Sequence, residues 1–331
     1  MPAIAIAGDV YPGKRSTPHL KAGAVETVFD GLLEPLRECH LRLANLEGPL
    51  VRTPSPIEKV GPLHIIDGDC LTGLAAAGFQ VLNLGNNHAM DHGAAGLRYT
   101  LERCREQGVA WVGAGENLAA AARVLVREVG GLRVGFYSCT EHEFGIATTT
   151  EWGTNPLDVI QFARMVRAHR HEWDYLVVLL HGGNEYYPYP RPALRRVCQF
   201  MIEQGANAVV CQHSHCAGCW EEHEGGFIVH GQGNFLFDER SARPCEQEGF
   251  LVVLDVEGPQ RHRLRLVPFA QVADRPGPVR MSAAAEAAFR RELDERSAAI
   301  RQPGFVEEKW AEFSRGNADR YLSLLHGYGR R

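Results

Sequence analysis

The stretch VLNLGNNHAMDHG, residues 81–93, changes character in its middle. Its first part, Val81 to Leu84, is an apolar run of the kind that forms a buried β-strand. A glycine, two amides and an imidazole follow at once, and Asp91 and His92 lie close behind. This change has two interpretations. It is either an ordinary polar turn, in which amides tolerate left-handed backbone geometry, or the end of a strand that carries ligands to a functional site.

Short apolar runs alternate with helical patterns along the 331-residue chain, which predicts an α/β fold. We predict strands at residues 3–7, 41–46, 79–84, 109–112, 124–129, 132–137, 175–180, 208–211, 227–229, 250–256 and 264–268. The early strands are buried on both faces, and the later ones indicate a mixed, more antiparallel sheet. Turn-forming residues at 271–280 are typical of a linker. We therefore predict one domain over residues 1–270 and a C-terminal helical appendage over 281–331.

The composition is that of an ordinary globular protein, with 45% hydrophobic and 23% charged residues. A formal net charge of −5 offers no electrostatic reason to expect a nucleic-acid partner. Since no apolar run resembles a signal peptide or reaches the roughly 20 residues of a membrane helix, we expect a cytoplasmic protein without a membrane anchor. Nine scattered cysteines, an odd number, indicate buried apolar residues rather than a disulfide framework.

Five of the predicted strands end in residues that can bind a metal ion. These residues are Asp9, Glu47, Asn87 with His88, His181, and His213 with His215. Because loops at the carboxyl ends of strands converge on one crevice in open α/β sheets, we expect these side chains to meet. Carboxylates, an amide oxygen and neutral imidazoles together suit Mn, Fe, Zn or Mg. The set exceeds what one ion needs, and two divalent ions that share a bridging carboxylate would use all of it.

Each of these segments alone is most often a turn, and a single histidine at a strand end is more often structural than a ligand. Their recurrence at corresponding strand ends favours a joint site. His213 and His215 form a His-x-His pair, which in a strand places both rings on one face. Cys211, Cys216 and Cys219 allow a zinc-knuckle interpretation, but their spacing is irregular and the histidines are better used elsewhere.

The order of the motifs resembles that of a known family. The motifs are GDV, NLEGPL, NLGNNHAMDHG, GAGEN, HGGNEY, HSH and GNFLFDE, and they span residues 3 to about 240. They resemble the bacterial capsule-synthesis CapA (poly-gamma-glutamate capsule) family, within the calcineurin-like metallophosphoesterase superfamily. The resemblance implies a four-layer αββα sandwich of two mixed sheets, with a dinuclear metal site at the tips of the sheets.

The resemblance also implies a role for each candidate ligand. The implied ligands are Asp9 and His215 for the first ion, Asn87, His181 and His213 for the second, and Glu47 as the bridge between the two. The superfamily usually has Asp-x-His in its first motif, and Tyr11 stands here in place of the histidine. The first ion therefore lacks a usual ligand, which Tyr11 or a water would have to replace. The bridging residue is commonly Asp, and Glu47 reaches farther.

His88 matches the non-ligand histidine that acts as general acid in phosphoesterases of this superfamily. Asp91 is placed to hold the His88 ring in the productive tautomer, which is our inference from the residues. Weaker candidates for substrate contacts are Glu185, Asn234 and His142, which lie near the motifs. A solvated loop carboxylate is an equally good interpretation of Glu185, and a satisfied polar neighbour is the simpler one for His142.

We therefore expect a metal-dependent hydrolase that cleaves a phosphoester with a metal-bridging hydroxide. One alternative is an amide or peptide hydrolase that acts on a poly-gamma-glutamate-like or cell-wall substrate, because a dinuclear centre also polarises a carbonyl group. Another is a non-catalytic component of capsule polymer biosynthesis. The expected partner is a small-molecule or polyanionic substrate, and a homo-oligomer is left open.

Overall fold

The structure of the protein is a computed structural model that describes residues 1–237 and 243–327. Asp238 and Glu239 of the GNFLFDE motif, and residues 328–331 of the predicted appendage, lie outside the described residues.

Strands and helices alternate along the described part of the chain. The strands are β1 (Ala3–Tyr11), β2 (Leu41–Leu46), β3 (Leu50–Val51), β4 (Ile66–Asp67), β5 (Val81–Asn83), β6 (Ala110–Val112), β7 (Ala114–Gly115), β8 (Leu125–Val129), β9 (Leu132–Thr140), β10 (Gly153–Thr154), β11 (Tyr175–His181), β12 (Ala208–Gln212), β13 (Ala217–His223), β14 (Gly226–Gln232), β15 (Asn234–Phe237), β16 (Glu248–Gly258), β17 (Arg261–Gln271) and β18 (Pro278–Arg280). The α-helices are α1 (Thr17–Lys21), α2 (Val25–Phe29), α3 (Leu33–Arg37), α4 (Cys70–Ala76), α5 (Gly93–Glu106), α6 (Leu118–Ala121), α7 (Val159–His169), α8 (Pro192–Glu203), α9 (Ala283–Ala299) and α10 (Phe305–Gly327). Short 3₁₀-helices lie at Asp30–Leu32, Arg170–Glu172 and Pro244–Glu246.

Two large mixed sheets organise these elements. The first has the order β18-β17-β16-β1-β2-β5-β6, and β15 also pairs with β1. The second has the order β13-β14-β12-β11-β9-β8. In the first sheet β1 is parallel to β2 and antiparallel to β16. In the second sheet β11 is parallel to β12, whereas β8 and β9 form an antiparallel hairpin.

The sheets pack face to face because their central strands bury both sides. Along β1, Ile4 and Ile6 belong to the apolar core between the sheets, while Ala3, Ala5 and Ala7 face the helices. This alternation follows from the two-residue period of a strand. Helices α1 to α5 cover the outer face of the first sheet, and α7 and α8 cover that of the second. The predicted four-layer αββα sandwich of two mixed sheets is confirmed.

The C-terminal helices pack against the sandwich. Phe289 and Leu293 of α9 enter the core between the sheets, and Ser297 Oγ accepts a hydrogen bond from the Trp220 backbone nitrogen at 3.1 Å. Aromatic rings of α10 contact Tyr187. The helical C-terminal end agrees with the expectation, while the domain boundary itself stays a prediction. Within the described ranges, no helix is both long enough and apolar enough to cross a bilayer.

The segment 271–280 is not a linker. β17 continues to Gln271, and β18 pairs with it in antiparallel register, with Phe269 opposite Arg280. The linker prediction is wrong because a short connection between paired strands uses the same proline and glycine residues as a linker does. Only the hydrogen bonding of the flanking residues distinguishes the two.

Buried amide side chains join the two sheets at the edge where β1, β5, β12 and β14 end. Gln212 donates from Nε2 to the Ala7 carbonyl oxygen at 3.1 Å and accepts from Asn83 Nδ2 at 2.9 Å. Gln232 Nε2 donates to the Ile6 carbonyl oxygen at 2.7 Å. Since buried polar groups must be paired, these bonds hold the strand ends of one sheet against those of the other. The residues that follow them along the chain form the site.

Candidate metal centre

The six predicted ligands meet in one buried cluster, which we call the ligand cluster. Asp9 lies in β1 and His181 ends β11, and the other four lie in turns that follow β2, β5 and β12. Two groups each have their ligand atoms within 4.8 Å of one another, namely Asp9, Glu47 and His215, and Glu47, His181 and His213. Asn87 Oδ1 lies 2.9 Å from His181 Nε2. None of the six residues is more than 7% exposed. The grouping is the one that the family resemblance implies.

Glu47 belongs to both groups. Its carboxylate is fully buried, and neither of its oxygens has a hydrogen-bond partner among the described residues. His181 Nε2 lies 3.5 Å and His215 Nε2 lies 3.8 Å from Glu47 Oε1. Burial raises the pKa of Glu47, and the charge of Asp9 raises it further. An unpaired buried carboxylate is costly unless a cation accompanies it, so this position fits a bridging ligand.

The Asn87 amide is held in one orientation. Its Nδ2 donates to Glu143 Oε2 at 2.8 Å, which turns Oδ1 toward His181. His213 Nε2 lies 3.5 Å from Glu143 Oε1. Glu143 was not expected from the sequence, because it lies in an irregular segment after β9 rather than at a strand end.

Neighbouring amides orient the other ligands. Asn45 Nδ2 donates to Asp9 Oδ1 at 2.7 Å. Asn234 Oδ1 lies 2.8 Å from His215 Nδ1, so that ring donates to Asn234 and leaves Nε2 on the side of Glu47. Such partners fix the tautomer of a metal-binding histidine. The structure therefore places Asn234 behind a candidate ligand, and its amide oxygen is engaged there instead of being presented to a substrate.

His213 and His215 lie in a turn. β12 ends at Gln212, and the two histidines have φ angles of 99° and 55°. The expectation that both rings lie on one face of a strand is wrong, because the strand ends before them. Residues other than glycine are strained in this region and persist there only when the surroundings enforce it. The turn sends His213 to one group of the ligand cluster and His215 to the other.

His181 is a neutral donor in the metal-free protein. Burial, followed by the nearby rings of His213 and His215, holds the pKa of His181 well below its usual value. A neutral imidazole has the lone pair that a metal needs. The donor set is therefore two carboxylates, one amide oxygen and three imidazoles, which suits borderline or hard divalent ions.

His88 and Asp91 form the expected pair. His88 Nδ1 lies 2.7 Å from Asp91 Oδ2 in a buried contact. Burial opposes ionisation of Asp91, but hydrogen bonds from His88, Lys59 and the His64 backbone outweigh it and lower the pKa of this carboxyl. An ionised carboxylate only accepts hydrogen bonds. Nδ1 of His88 therefore carries the proton of this bond, and Nε2 is left for another partner.

Lys59 and His64 complete this arrangement and were not expected from the sequence. The Lys59 side chain is 1% exposed, and its Nζ lies 2.5 Å from Asp91 Oδ1 and 3.2 Å from His88 Nδ1. The His64 backbone nitrogen donates to Asp91 Oδ2 at 2.6 Å. Both residues lie in the loop between β3 and β4, where no periodic pattern marks them.

Three rings form a stack beside the ligand cluster. His64 lies parallel to His88, with ring centroids 3.6 Å apart, and Tyr11 packs on His64 at 4.1 Å. Burial, followed by the His88 charge, lowers the pKa of His64 to about 3, so its ring is neutral at pH 7. Its Nδ1 donates to the Glu47 carbonyl oxygen at 2.9 Å. The ring of Tyr11, which stands in place of the usual histidine, is therefore the outer member of this stack.

The two remaining substrate candidates differ in position. Glu185 is half-buried, and its charge raises the pKa of Glu47, which places it near the cluster. His142 is exposed, and within residues 1–237 and 243–327 no hydrogen bond, ion pair or ring contact links it to the ligand cluster. The residues on either side of His142 do form polar contacts, since Glu143 accepts a hydrogen bond from Asn87 and Glu141 forms an ion pair with Arg191.

The chain matches the family described as "Bacterial capsule synthesis protein PGA_cap" over residues 3–239. The protein belongs to the PGA_cap family. "Capsule biosynthesis protein CapA" of Bacillus anthracis is 28% identical over 246 residues, which are 71% of this chain and 60% of that protein. "PGA biosynthesis protein CapA" of Bacillus subtilis (strain 168) is 26% identical over 291 residues, which are 86% of this chain and 76% of that protein. The match thus spans less than two thirds of the Bacillus anthracis relative.

A solved structure shares the fold of this PGA_cap protein. A hypothetical protein from Thermus thermophilus superposes with a TM-score of 0.51 at 15% sequence identity. The superposition covers 82% of this chain and 100% of that one. At this level of identity the likeness concerns the fold alone.

Replacing Glu47 by Gln tests whether the centre of this PGA_cap protein is built for cations. Because folding raises the pKa of Glu47 above its ordinary value of 4.5, the protonated carboxyl contributes its full share to the stability of the fold at pH values below 4.5. That contribution is lost as the pH rises through the folded-state pKa. With chelator present, we expect the melting temperature of the wild type to fall relative to that of E47Q as the pH rises from 4.5 toward neutrality. E47Q should also retain less metal when both proteins are measured by plasma mass spectrometry.

Glu128→Gln, which changes an exposed carboxylate of β8, is the matched control and should follow the wild type at each pH. Added Mn²⁺ or Zn²⁺ should raise the melting temperature of the wild type more than that of E47Q, because a ligand stabilises the state that binds it. Parallel pH curves together with equal metal content would contradict this role of Glu47.

Proposed function

We propose that this protein is a metal-dependent hydrolase that cleaves a phosphoester at the ligand cluster with two divalent ions. One observation supports this most directly. The buried, unpaired carboxylate of Glu47 is shared by two groups of candidate ligands. A buried carboxylate shared by two groups of carboxylate and imidazole donors suits a two-metal hydrolytic site.

The donor set fits the ions without further assumption. Asp9, Glu47 and His215 would hold the first ion, and Glu47, His181 and His213 the second, with Asn87 Oδ1 beside His181. When bound, such ions lower the pKa of a coordinated water toward about 7 and neutralise charge on a phosphoryl group.

His88 is the residue that we propose protonates the leaving oxygen. Nδ1 is bonded to Asp91, so Nε2 is the nitrogen that can face a substrate. Burial, with a further contribution from the Lys59 charge, lowers the pKa of His88, while the Asp91 carboxylate raises it and so favours the protonated ring that a general acid needs.

The loop between β3 and β4 closes one side of this region. The Ile57 backbone nitrogen donates to the Asp91 carbonyl oxygen at 3.0 Å, and the Ser55 nitrogen donates to His92 Nδ1 at 2.8 Å. These bonds fasten the loop to the turn that carries His88. The stack of Tyr11, His64 and His88 then excludes water from one face of the His88 ring.

A second candidate is hydrolysis of an amide in a polyanionic polymer. The two Bacillus relatives are named for capsule and PGA biosynthesis. Tyr11, Lys14 and Arg52 are among the residues that line a cavity of about 770 Å³. Both cations are exposed, and neither makes an ion pair with another described residue. Two cations without ion-pair partners at the edge of a cavity suit a substrate that carries anionic groups.

Release of phosphate and release of amine separate these two candidates. We expect the Mn²⁺- or Zn²⁺-loaded protein to release inorganic phosphate from a panel of phosphomonoesters and phosphodiesters, and chelator or E47Q to abolish the release. Amine release from oligo-γ-glutamate without phosphate release would favour the second candidate. A protein that holds its metals and releases neither product would favour a non-catalytic role in capsule polymer biosynthesis.

Replacing His88 by Ala should leave the metal content unchanged and lower kcat. A general acid contributes about 10²- to 10⁴-fold, and we expect this loss with an alkyl phosphate, whose leaving group needs a proton. The loss should be much smaller with 4-nitrophenyl phosphate, whose leaving group does not. His169→Ala, an exposed histidine of α7, is the control and should retain full activity. An equal loss on both substrates would show that His88 is not the acid.

Replacing Lys59 by Met should lower kcat with little change in KM, because Lys59 acts through Asp91 and His88 and not on the substrate. Loss of such an orienting partner typically costs about 10- to 100-fold. Lys59→Arg should restore part of the activity, and Lys21→Met, a surface ion-pair residue, should have no effect. Because residues that act as one unit are not additive, the H88A/K59M double variant should be no slower than H88A. A double variant slower by the product of both losses would contradict this role.

A further inference from the structure

A second cluster of metal-binding side chains lies under helix α8, outside the ligand cluster. Cys198 of α8, Cys211 of β12 and His230 of β14 are each at most 4% exposed. The two sulfur atoms are 3.6 Å apart, and a ring nitrogen of His230 lies within 4.8 Å of both. Cys211 and His230 are direct neighbours in the register of their parallel strands. We call these three residues the thiol cluster.

The His230 ring presents an unpaired nitrogen. His230 Nε2 lies 3.0 Å from Glu221 Oε1, and Arg195 donates to both oxygens of that carboxylate at 2.9 and 2.6 Å. Burial opposes ionisation of Glu221, but His230 and Arg195 outweigh it and lower the pKa of this carboxyl to about 2. Because an ionised carboxylate only accepts, Nε2 carries a proton, and the neutral form of the ring has its lone pair on Nδ1. Nδ1 is buried and has no hydrogen-bond partner among the described residues.

We propose that Cys198, Cys211 and His230 bind one thiophilic divalent cation such as Zn²⁺. Two thiolates on a tetrahedral zinc ion, with Zn–S bonds of about 2.3 Å, stand about 3.8 Å apart, close to the observed sulfur separation. A carboxylate that holds the outer nitrogen of a histidine is the usual partner of a metal-binding imidazole. The Glu221–Arg195 ion pair provides that partner here.

The charges balance in this buried location. Binding converts the two thiols to thiolates and releases two protons to solvent, so the ion, two thiolates and a neutral imidazole have no net charge. The Glu221–Arg195 pair is neutral as well. Burying an unbalanced charge would be costly, and this site avoids it. The protein supplies three ligands, which leaves the fourth tetrahedral position to a small molecule such as water.

The site differs from the zinc knuckle that the sequence allows. That interpretation grouped Cys211 with Cys216 and Cys219, which follow it along the chain. The structure groups Cys211 with a helix residue before it and a strand residue after it. The thiol cluster also differs from the ligand cluster in its donor atoms, because the ligand cluster contains no sulfur.

Cobalt binding tests the proposal, because only thiolate ligands give Co²⁺ a strong charge-transfer band in the near ultraviolet. The parent protein is the full chain with Cys245→Ser, which removes an exposed thiol. It is kept reduced, stripped with chelator and titrated with Co²⁺. We expect a thiolate band that Zn²⁺ abolishes, together with proton release. Cys198→Ala in the parent should lose the band and one equivalent of zinc by plasma mass spectrometry.

Cys104→Ala, which removes another buried thiol in α5, is the matched control and should keep the band. Glu221→Gln should weaken Zn²⁺ binding at the thiol cluster about 10- to 100-fold, as expected for loss of a partner that orients a ligand. A parent protein without the band overturns the proposal, whether or not the Cys198 variant folds. A band that survives unchanged in Cys198→Ala overturns it too, since the thiolates would then lie elsewhere. Because the ligand cluster contributes no thiolate, neither result depends on the proposed hydrolase activity.

Discussion

The buried carboxylate of Glu47 is the constraint around which the rest of the site is arranged. Asp9 and Glu47 are both buried, and no described residue donates a hydrogen bond to the Glu47 carboxylate. Two such groups repel each other and lose hydration, so the metal-free arrangement is unfavourable by itself. Burial keeps His181 neutral, so this ring does not compensate. Divalent cations would remove this penalty, which is why the geometry supports a metal centre more strongly than the presence of the residues alone.

The fold holds that unfavourable arrangement in place. Amides of Asn83, Gln212 and Gln232 pair across the gap between the two sheets and keep the strand ends in register. Strained backbone at His213 and His215 aims the two rings at different groups. Strain of this kind survives only when its surroundings are rigid. The stability of the sandwich and the geometry of the site are therefore coupled.

The reaction side of the site depends on a segment with no regular structure. His88 and Asp91 come from the turn after β5, but the charge that balances them comes from Lys59 and the stacked ring from His64. Neither residue lies at a strand end or within a recognisable motif. A loop lysine is normally solvent-exposed, so its sequence position offers no indication that it is buried. The same holds for Glu143, which reaches Asn87 from another irregular segment.

The succession of strands and helices along the chain and the identity of the main donors could be predicted from the chain alone, because these depend on local periodicity and on polar residues at strand ends. The four layers were implied by the family resemblance, and the structure confirms them; the six candidate donors lie together, while their roles as ligands stay a prediction. Distances and orientations could not be predicted, since they depend on sheet register and on turn geometry. Only the folded chain directs Asn234 toward His215 and leaves His142 exposed. Only the folded chain pairs β18 with β17 and brings the thiol of Cys198 next to that of Cys211. Contacts between residues far apart in sequence leave no periodic signal, so tertiary packing has to bring them together before they can be recognised.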